Sequence, residues 1–299
     1  MRILITGGTG FIGRALVMRL LRRGDALTVL SRDPPKAAAL LGDRVRIWES
    51  LGQWQADTAF DAVINLAGEP IIDKAWTPER KRLLLASRIG ITGQLLDGIR
   101  HCQQKPAVLL SGSAIGIYGD TGTAICTENT PLADDFAATL CRQWERAAEP
   151  AEPLGVRTVF LRTGLVLHQD GGMLKKLLLP FKLGLGSRLG DGRQTMSWIH
   201  RHDYLNAVIF LLDNTECRGA FNLTAPHPVS NAGFTDSLAV SLGRKALLVT
   251  PSILLKPVLG ERSILLFGGQ KVVPEKLLRA GFAFRYPSLA DALENGGVD

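Results

Sequence analysis

Short apolar runs alternate with long amphipathic stretches through the first half of the chain. Ile3-Leu4-Ile5 reads as a strand, and Ile12, Leu16 and Leu20 then recur at helical spacing until Gly24 closes the helix. Ala26–Leu30 is a second strand; Pro34-Pro35 interrupts, and a short helix is expected near Ala37–Leu41. Val45–Trp48, Asp61–Leu66, Val108–Ser111 and Thr158–Arg162 read as further strands, separated by helices over about 78–102 and 134–149. Such alternation specifies an α/β protein: a Rossmann-type, doubly wound parallel sheet with helices on both faces.

After residue 165 the pattern changes. Gly171, Gly172, Gly184, Gly186, Gly190 and Gly192 punctuate an apolar and basic segment. A helix near Asp203–Leu212, a strand near Gly219–Leu223, a helix near Asn231–Leu242 and a terminal helix near Leu289–Asn295 follow. Residues 1–165 are expected to form the nucleotide-binding domain, with 196–225 returning to it. Residues 166–299 form mainly a smaller C-terminal α/β substrate lobe, interleaved with the sheet and covering its cleft.

Ligands of such sheets lie beyond the carboxyl ends of the strands. That gathers residues 7–13, 31–32, 66–68, 111–113 and 162–164 around one cleft. The first of these is the most specific. Strand, then Gly7-Gly8-Thr9-Gly10-Phe11-Ile12-Gly13, then helix is the order a pyrophosphate site requires: glycines let the anion approach, and the free N–H groups of the helix start face it. Gly7, Thr9, Gly10, Phe11, Ile12 and Gly13 are therefore cofactor-binding candidates, with Leu66, Ala67 and Gly68 after the fourth strand. The second strand ends in Ser31-Arg32 where NAD-preferring folds usually carry an acid. A guanidinium binds a 2′-phosphate that an acid would repel, so Ser31 and Arg32 point to NADP(H). The competing possibility is a solvated Arg32, with Asp33 on the ribose.

Composition adds bounds. The 299 residues carry a net charge of +7 and are 46% hydrophobic, enough for a sizeable core. The basic residues are dispersed and no nucleic-acid module is present, so a small-molecule substrate is expected rather than nucleic acid. No apolar run reaches the roughly 18 residues of a membrane span, so no membrane association is expected. Cys102, Cys126, Cys141 and Cys217 show no metal spacing and read as reduced thiols of a cytoplasmic protein. Met1-Arg2 leads straight into the first strand, so no signal peptide is expected. A homodimer remains open.

Several segments together carry a resemblance. TGGTGFIG (6–13), DAVINLAG (61–68), SGSAIGIYGD (111–120), RTGLVL (162–167) and GDGRQTMSWIHRHD (190–203) resemble the extended short-chain dehydrogenase/reductase superfamily. NLAGEPI (65–71), SR-x-x-x-T (87–92), LCRQWE (140–145), LLPFKLGLG (178–186) and GGQKVVPEKLLRAGFAFRYPSL (268–289) are similar to its atypical branch, the epimerase family proteins, whose substrates are mostly unassigned. The resemblance implies hydride chemistry with a nicotinamide cofactor, by a Tyr and a Lys four residues later on one helix. Counting back from Glu145 places Ala137 and Cys141 there instead, and Arg88 replaces the usual Asn four residues before Thr92.

The remaining candidates each have two readings. Ser113, or Ser111, could hold a substrate oxygen or satisfy local backbone. Tyr118 could be a substitute proton donor or a packed ring. Cys141 could be a weak acid or nucleophile near the nicotinamide, or a small buried side chain. Arg88 is aimed by the resemblance at the cofactor or an anionic substrate. His200 and Asp203 are expected to organise the junction between lobes. Lys175, Lys176, Lys182, Arg188 and Arg193 could clasp an anionic, phosphorylated substrate or be solvated. The leading expectation is an NADP(H)-binding oxidoreductase-like enzyme on a small anionic substrate. The alternatives are a nucleotide-sugar epimerase or dehydratase, and a non-catalytic NADPH sensor or scaffold.

Overall fold

The computed structural model describes residues 1–295. The first half alternates as the apolar pattern requires: β1 (Arg2–Thr6), α1 (Phe11–Arg23), β2 (Ala26–Leu30), α2 (Pro34–Leu41), β3 (Val45–Trp48) and β4 (Ala62–Asn65). Then come α3 (Pro78–Leu85), α4 (Ile91–His101), β5 (Val108–Ala114), the short β6 (Ile125–Cys126), α5 (Phe136–Ala148) and β7 (Arg157–Thr163). Local chemistry sets the ends. Gly24 stops α1 at φ 91, a left-handed cap that costs a residue without Cβ little. The Asp33 carboxylate accepts from the Lys36 N–H and starts α2, which opens on Pro34.

The second half is built of shorter pieces: β8 (Leu165–Leu167), α6 (Gly172–Lys182), β9 (Ser187–Leu189), β10 (Thr195–Met196), β11 (Trp198–His200), α7 (Arg201–Asp213) and β12 (Gly219–Leu223). These lead to β13 (Val229–Ser230), α8 (Asn231–Ser241), β14 (Leu248–Thr250), α9 (Ser252–Leu259), α10 (Ile264–Phe267), β15 (Lys271–Val272), α11 (Glu275–Arg279) and α12 (Leu289–Asn295).

Seven strands form one parallel sheet in the order β12-β7-β5-β4-β1-β2-β3. Its order reverses between β1 and β4, and that is where an open parallel sheet offers a crevice. Ile3, Ile5, Val29, Ile64 and Leu110 pack one face against α1 and α7, through Leu16, Leu20, Leu205 and Val208. Leu4, Val63 and Leu109 pack the other against α4, Trp48 and Trp54. A separate core around Trp198, Phe234, Tyr286 and Leu289 holds the C-terminal lobe together. Asp203 ties the lobe's last segment to α7 by accepting the N–H groups of Arg285 (3.0 Å) and Tyr286 (2.8 Å).

One expected helix differs in detail. The segment predicted over 78–102 runs as α3, a π-helical turn at Ala86–Gly90, and α4. Such a turn inserts a residue into the helix ladder and re-aims the side chains around it. Here it carries Ser87 and Arg88.

Candidate functional site

The loop between β1 and α1 leaves no room for a side chain at three of its glycines. A Cβ on Gly7, which sits at φ +71, would stand 2.6 Å from the Leu66 carbonyl. On Gly13 it would stand 2.1 Å from the Gly7 carbonyl oxygen, and on Gly8 2.8 Å from Val29. Gly10 begins α1, and its N–H donates to the Gly7 carbonyl at 3.1 Å. No side chain caps α1 and no acid lies in its first turn, so the N–H groups of Phe11, Ile12 and Gly13 form a positive helix end without a carboxylate. Thr9 is half-buried on the same loop. The Phe11 ring reaches the other lobe: a Cβ on Gly171 would lie 2.2 Å from it, and the Arg201 guanidinium stands 5.3 Å from its centre.

At the end of β2, the Ser31 hydroxyl bonds the backbone of Asp33, whose carboxylate is turned to cap α2. Arg32 extends into solvent, its side chain 91% exposed, with both terminal nitrogens 3.2 Å from Glu69. Glu69 also accepts from Arg80 at 3.3 Å. Burial pushes the Glu69 carboxyl up, but its bonds to Arg32 and Arg80 outweigh this and hold it below the usual range.

Beyond β4, Leu66, Ala67 and Gly68 follow Asn65, whose side chain organises the crevice. Thr6 donates to Asn65 Oδ1 (2.6 Å), Asn65 Nδ2 donates to Thr92 (2.9 Å), and Thr92 donates to the Arg88 carbonyl (2.7 Å). Ala67 N–H donates to Thr6 Oγ1. β1, β4 and the π-turn are thus joined by one buried polar chain. Arg88 lies over Gly68, donates to the carbonyls of Glu69 (3.0 Å) and Leu84 (3.1 Å), and stacks 5.1 Å from the Trp144 ring.

The three proton-transfer candidates are all enclosed. Ser113 donates to Glu145 at 2.6 Å, and Arg162 grips the same carboxylate with two nitrogens at 2.8 and 2.9 Å. Burial alone would lower the Arg162 pKa; its bonds to Glu145 raise it instead. Tyr118 donates to Asn222 (2.7 Å) and accepts from Arg162 (2.9 Å). Burial pushes its phenol up to about 12. Cys141 is also buried, and burial with the nearby Glu145 pushes its thiol up to about 12, Arg88 pulling the other way. Asn222 and Asn65 join this network without having been singled out in the sequence; Arg162 had been placed at the cleft, and Glu145 and Thr92 had served only as landmarks for the motif positions. Arg162 carried a signal, since a charged side chain inside an otherwise apolar strand needs a buried partner.

The site fits a dinucleotide on its own terms. The glycine cradle excludes a Cβ at Gly7, Gly8 and Gly13, and the α1 end is uncapped. Among the described residues Ser111 Oγ, Trp144 Nε1 and Arg80 Nε are buried without a hydrogen-bond partner. No group of three or more His, Cys, Asp or Glu among the described residues is placed to hold a metal, and no helix there is long and apolar enough to cross a membrane.

The fold and this crevice define a dinucleotide-binding α/β protein of the short-chain dehydrogenase/reductase type. Within that class the chain belongs to the NAD-dependent epimerase/dehydratase family, whose model matches residues 3–224; a domain of unknown function, DUF1731, matches residues 250–295. It is 38% identical to the chloroplastic epimerase family protein SDR39U1 homolog of Arabidopsis thaliana, over 98% of this chain and 86% of that one. It is 37% identical to an epimerase family protein of Staphylococcus aureus, over 98% and 97%. Human epimerase family protein SDR39U1, solved with NADPH, superposes with a TM-score of 0.90 at 35% identity, covering 98% of each chain. UDP-glucuronic acid 4-epimerase from Bacillus cereus shares the fold, at TM-score 0.78 and 19% identity.

Proposed function

We propose that the protein binds NADP(H) in this crevice and acts as an oxidoreductase on a small, anionic molecule held under the C-terminal lobe. The carrying observation is the end of β2. Asp33 is committed to capping α2, so Arg32 is the charged side chain left to meet the adenosine ribose, and it suits a 2′-phosphate. Its pair with Glu69 is an exposed one, worth about 0–1 kcal/mol, and a phosphate can displace it. The NADPH-bound human relative supports the same choice of cofactor.

When bound, the cofactor supplies or accepts hydride at nicotinamide C4. The residues at the ends of β4 and β5 hold the reacting molecule. Ser113 gives its proton to Glu145, so toward a ligand its oxygen is an acceptor that orients a substrate hydroxyl. Lys175, Lys182 and Arg188 are exposed on the lobe and are the cations an anionic substrate would draw on. Four free, buried cysteines fit a reducing compartment such as the cytoplasm.

A second reading is a non-catalytic NADPH sensor. It is favoured by the enclosure of Ser113, Tyr118 and Cys141: the two hydroxyls already donate to Glu145 and Asn222, and the thiol is buried. Calorimetric titration with NADPH and NADH, on the wild type and Arg32→Ala, tests the cofactor. Micromolar NADPH binding, weaker NADH binding and loss of that preference in the variant are expected. No binding of either nucleotide overturns the reading. Substrate-dependent NADPH oxidation that falls in Ser113→Ala separates the enzyme from the sensor.

A further inference from the structure

The Arg88 guanidinium has an unusual setting. It is half-buried at the ends of β4 and β5, yet its donors go to two backbone carbonyls and the Ser87 hydroxyl, and it lies on the Trp144 ring face. Among the described residues no carboxylate ion-pairs with it. The nearest candidate, Glu69, is spent on Arg32 and Arg80. Cys141, the ionisable side chain beside it on α5, stays a neutral thiol at pH 7 because burial drives its pKa to about 12. Burial also pushes the Arg88 pKa down, the mark of a cation that is poorly solvated and unevenly compensated. Two further buried groups on the same elements, Ser111 Oγ and Trp144 Nε1, have no partner.

A dinucleotide bound across the reversal in strand order places its adenosine over β2, its pyrophosphate at α1 and its nicotinamide over β4 and β5. Arg88 therefore belongs to the nicotinamide half. The two redox states of that half differ in charge: the oxidised ring is cationic and the reduced ring neutral. We propose that Arg88 makes the site selective for the redox state of the cofactor, favouring NADPH over NADP⁺ by repelling the oxidised ring. This rests on the NADP(H) reading above.

The test is a binding measurement on the intact protein, with no substrate. NADPH, NADP⁺ and 2′,5′-ADP are titrated calorimetrically into the wild type, Arg88→Gln and Arg88→Lys. For one cation facing another across a partly screened site, the wild type is expected to hold NADPH about fivefold or more tighter than NADP⁺. In Arg88→Gln that ratio moves toward one, Arg88→Lys retains it, and 2′,5′-ADP, which lacks the nicotinamide half, binds all three alike. Equal wild-type affinity for NADPH and NADP⁺ overturns the proposal without any variant. So does an Arg88→Gln ratio unchanged from the wild type. A variant that loses 2′,5′-ADP as well assigns Arg88 to holding the π-turn, and that also overturns it. Failure of the wild type to bind any of the three overturns the NADP(H) reading itself, which is a different result from tight but unselective binding.

Discussion

Glu145 and Arg162 form a buried, bidentate pair with side-chain exposures of 9% and 7%, and Ser113 and Tyr118 hang from it. Removing one partner of such a pair leaves a buried charge and typically costs about 3–5 kcal/mol. Glu145→Gln is therefore expected to lower stability by that order in thermal or denaturant unfolding; a loss below about 1 kcal/mol would show the pair to be dispensable. Tyr118 permits a pH test. Its folded pKa of about 12 lies above the unfolded value near 10, so its contribution is full below pH 10 and disappears as pH rises toward 12. Tyr118→Phe is expected to flatten the alkaline loss of stability between those limits, and an unchanged slope would contradict the burial argument. At this scale the sequence was half legible. Arg32 and the glycines could be placed because the chemistry of a phosphate site is local. The partner of Ser113 could not, because Glu145 and Arg162 come from distant segments that meet only in the fold.

Among elements, the β1–α1 loop separates two kinds of glycine. Gly13 is fixed by packing, since its Cβ would fall 2.1 Å from a backbone oxygen. Gly10 has an ordinary φ of −74°, and its Cβ would meet the Gly7 oxygen at 3.3 Å. Gly13→Ala is thus expected to lower both stability and NADPH affinity, and Gly10→Ala chiefly affinity, by about tenfold where a methyl group stands before the helix end. Melting temperature and calorimetry on the two variants decide it; a Gly13→Ala protein as stable as the wild type would refute the close-packing account. The strands and α1 were readable from apolar runs, helical spacing and glycine punctuation. The π-turn was not, because Ala86–Gly90 continues the amphipathic pattern and the Asn65–Thr92–Arg88 chain that ties it to β4 crosses from another strand.

For the whole molecule the question is how the lobe sits over the cleft. Its short paired segments, such as β9 with β14 and β10 with β13, carry two or three residues each, too few to show a period, so they were not legible in advance. Polar contacts that join this lobe to the segment after β4 include Lys81 with Glu261 at 2.5 Å, Lys176 with Asp73 at 3.0 Å, and Arg262 donating to the Ile72 carbonyl at 2.9 Å, and Ile264 and Leu265 pack against the apolar cluster of Trp76 and Leu84. The two ion pairs are largely exposed and contribute little, about 0–1 kcal/mol each, less in salt. Between residues 252 and 267 no residue of α9, α10 or the turn joining them is fully buried, while Ile253, Leu254 and Val258 are 64–77% exposed. A region with few buried contacts opens locally long before the sheet does. Amide exchange across 252–267 is therefore expected to be fast in a protein whose β1, β4 and β5 exchange only on global unfolding, and faster still at high salt. Protection equal to that of the sheet would mean the lobe edge is fixed and the cleft is reached by another route. Fast exchange would make this edge the part of the lobe that opens first.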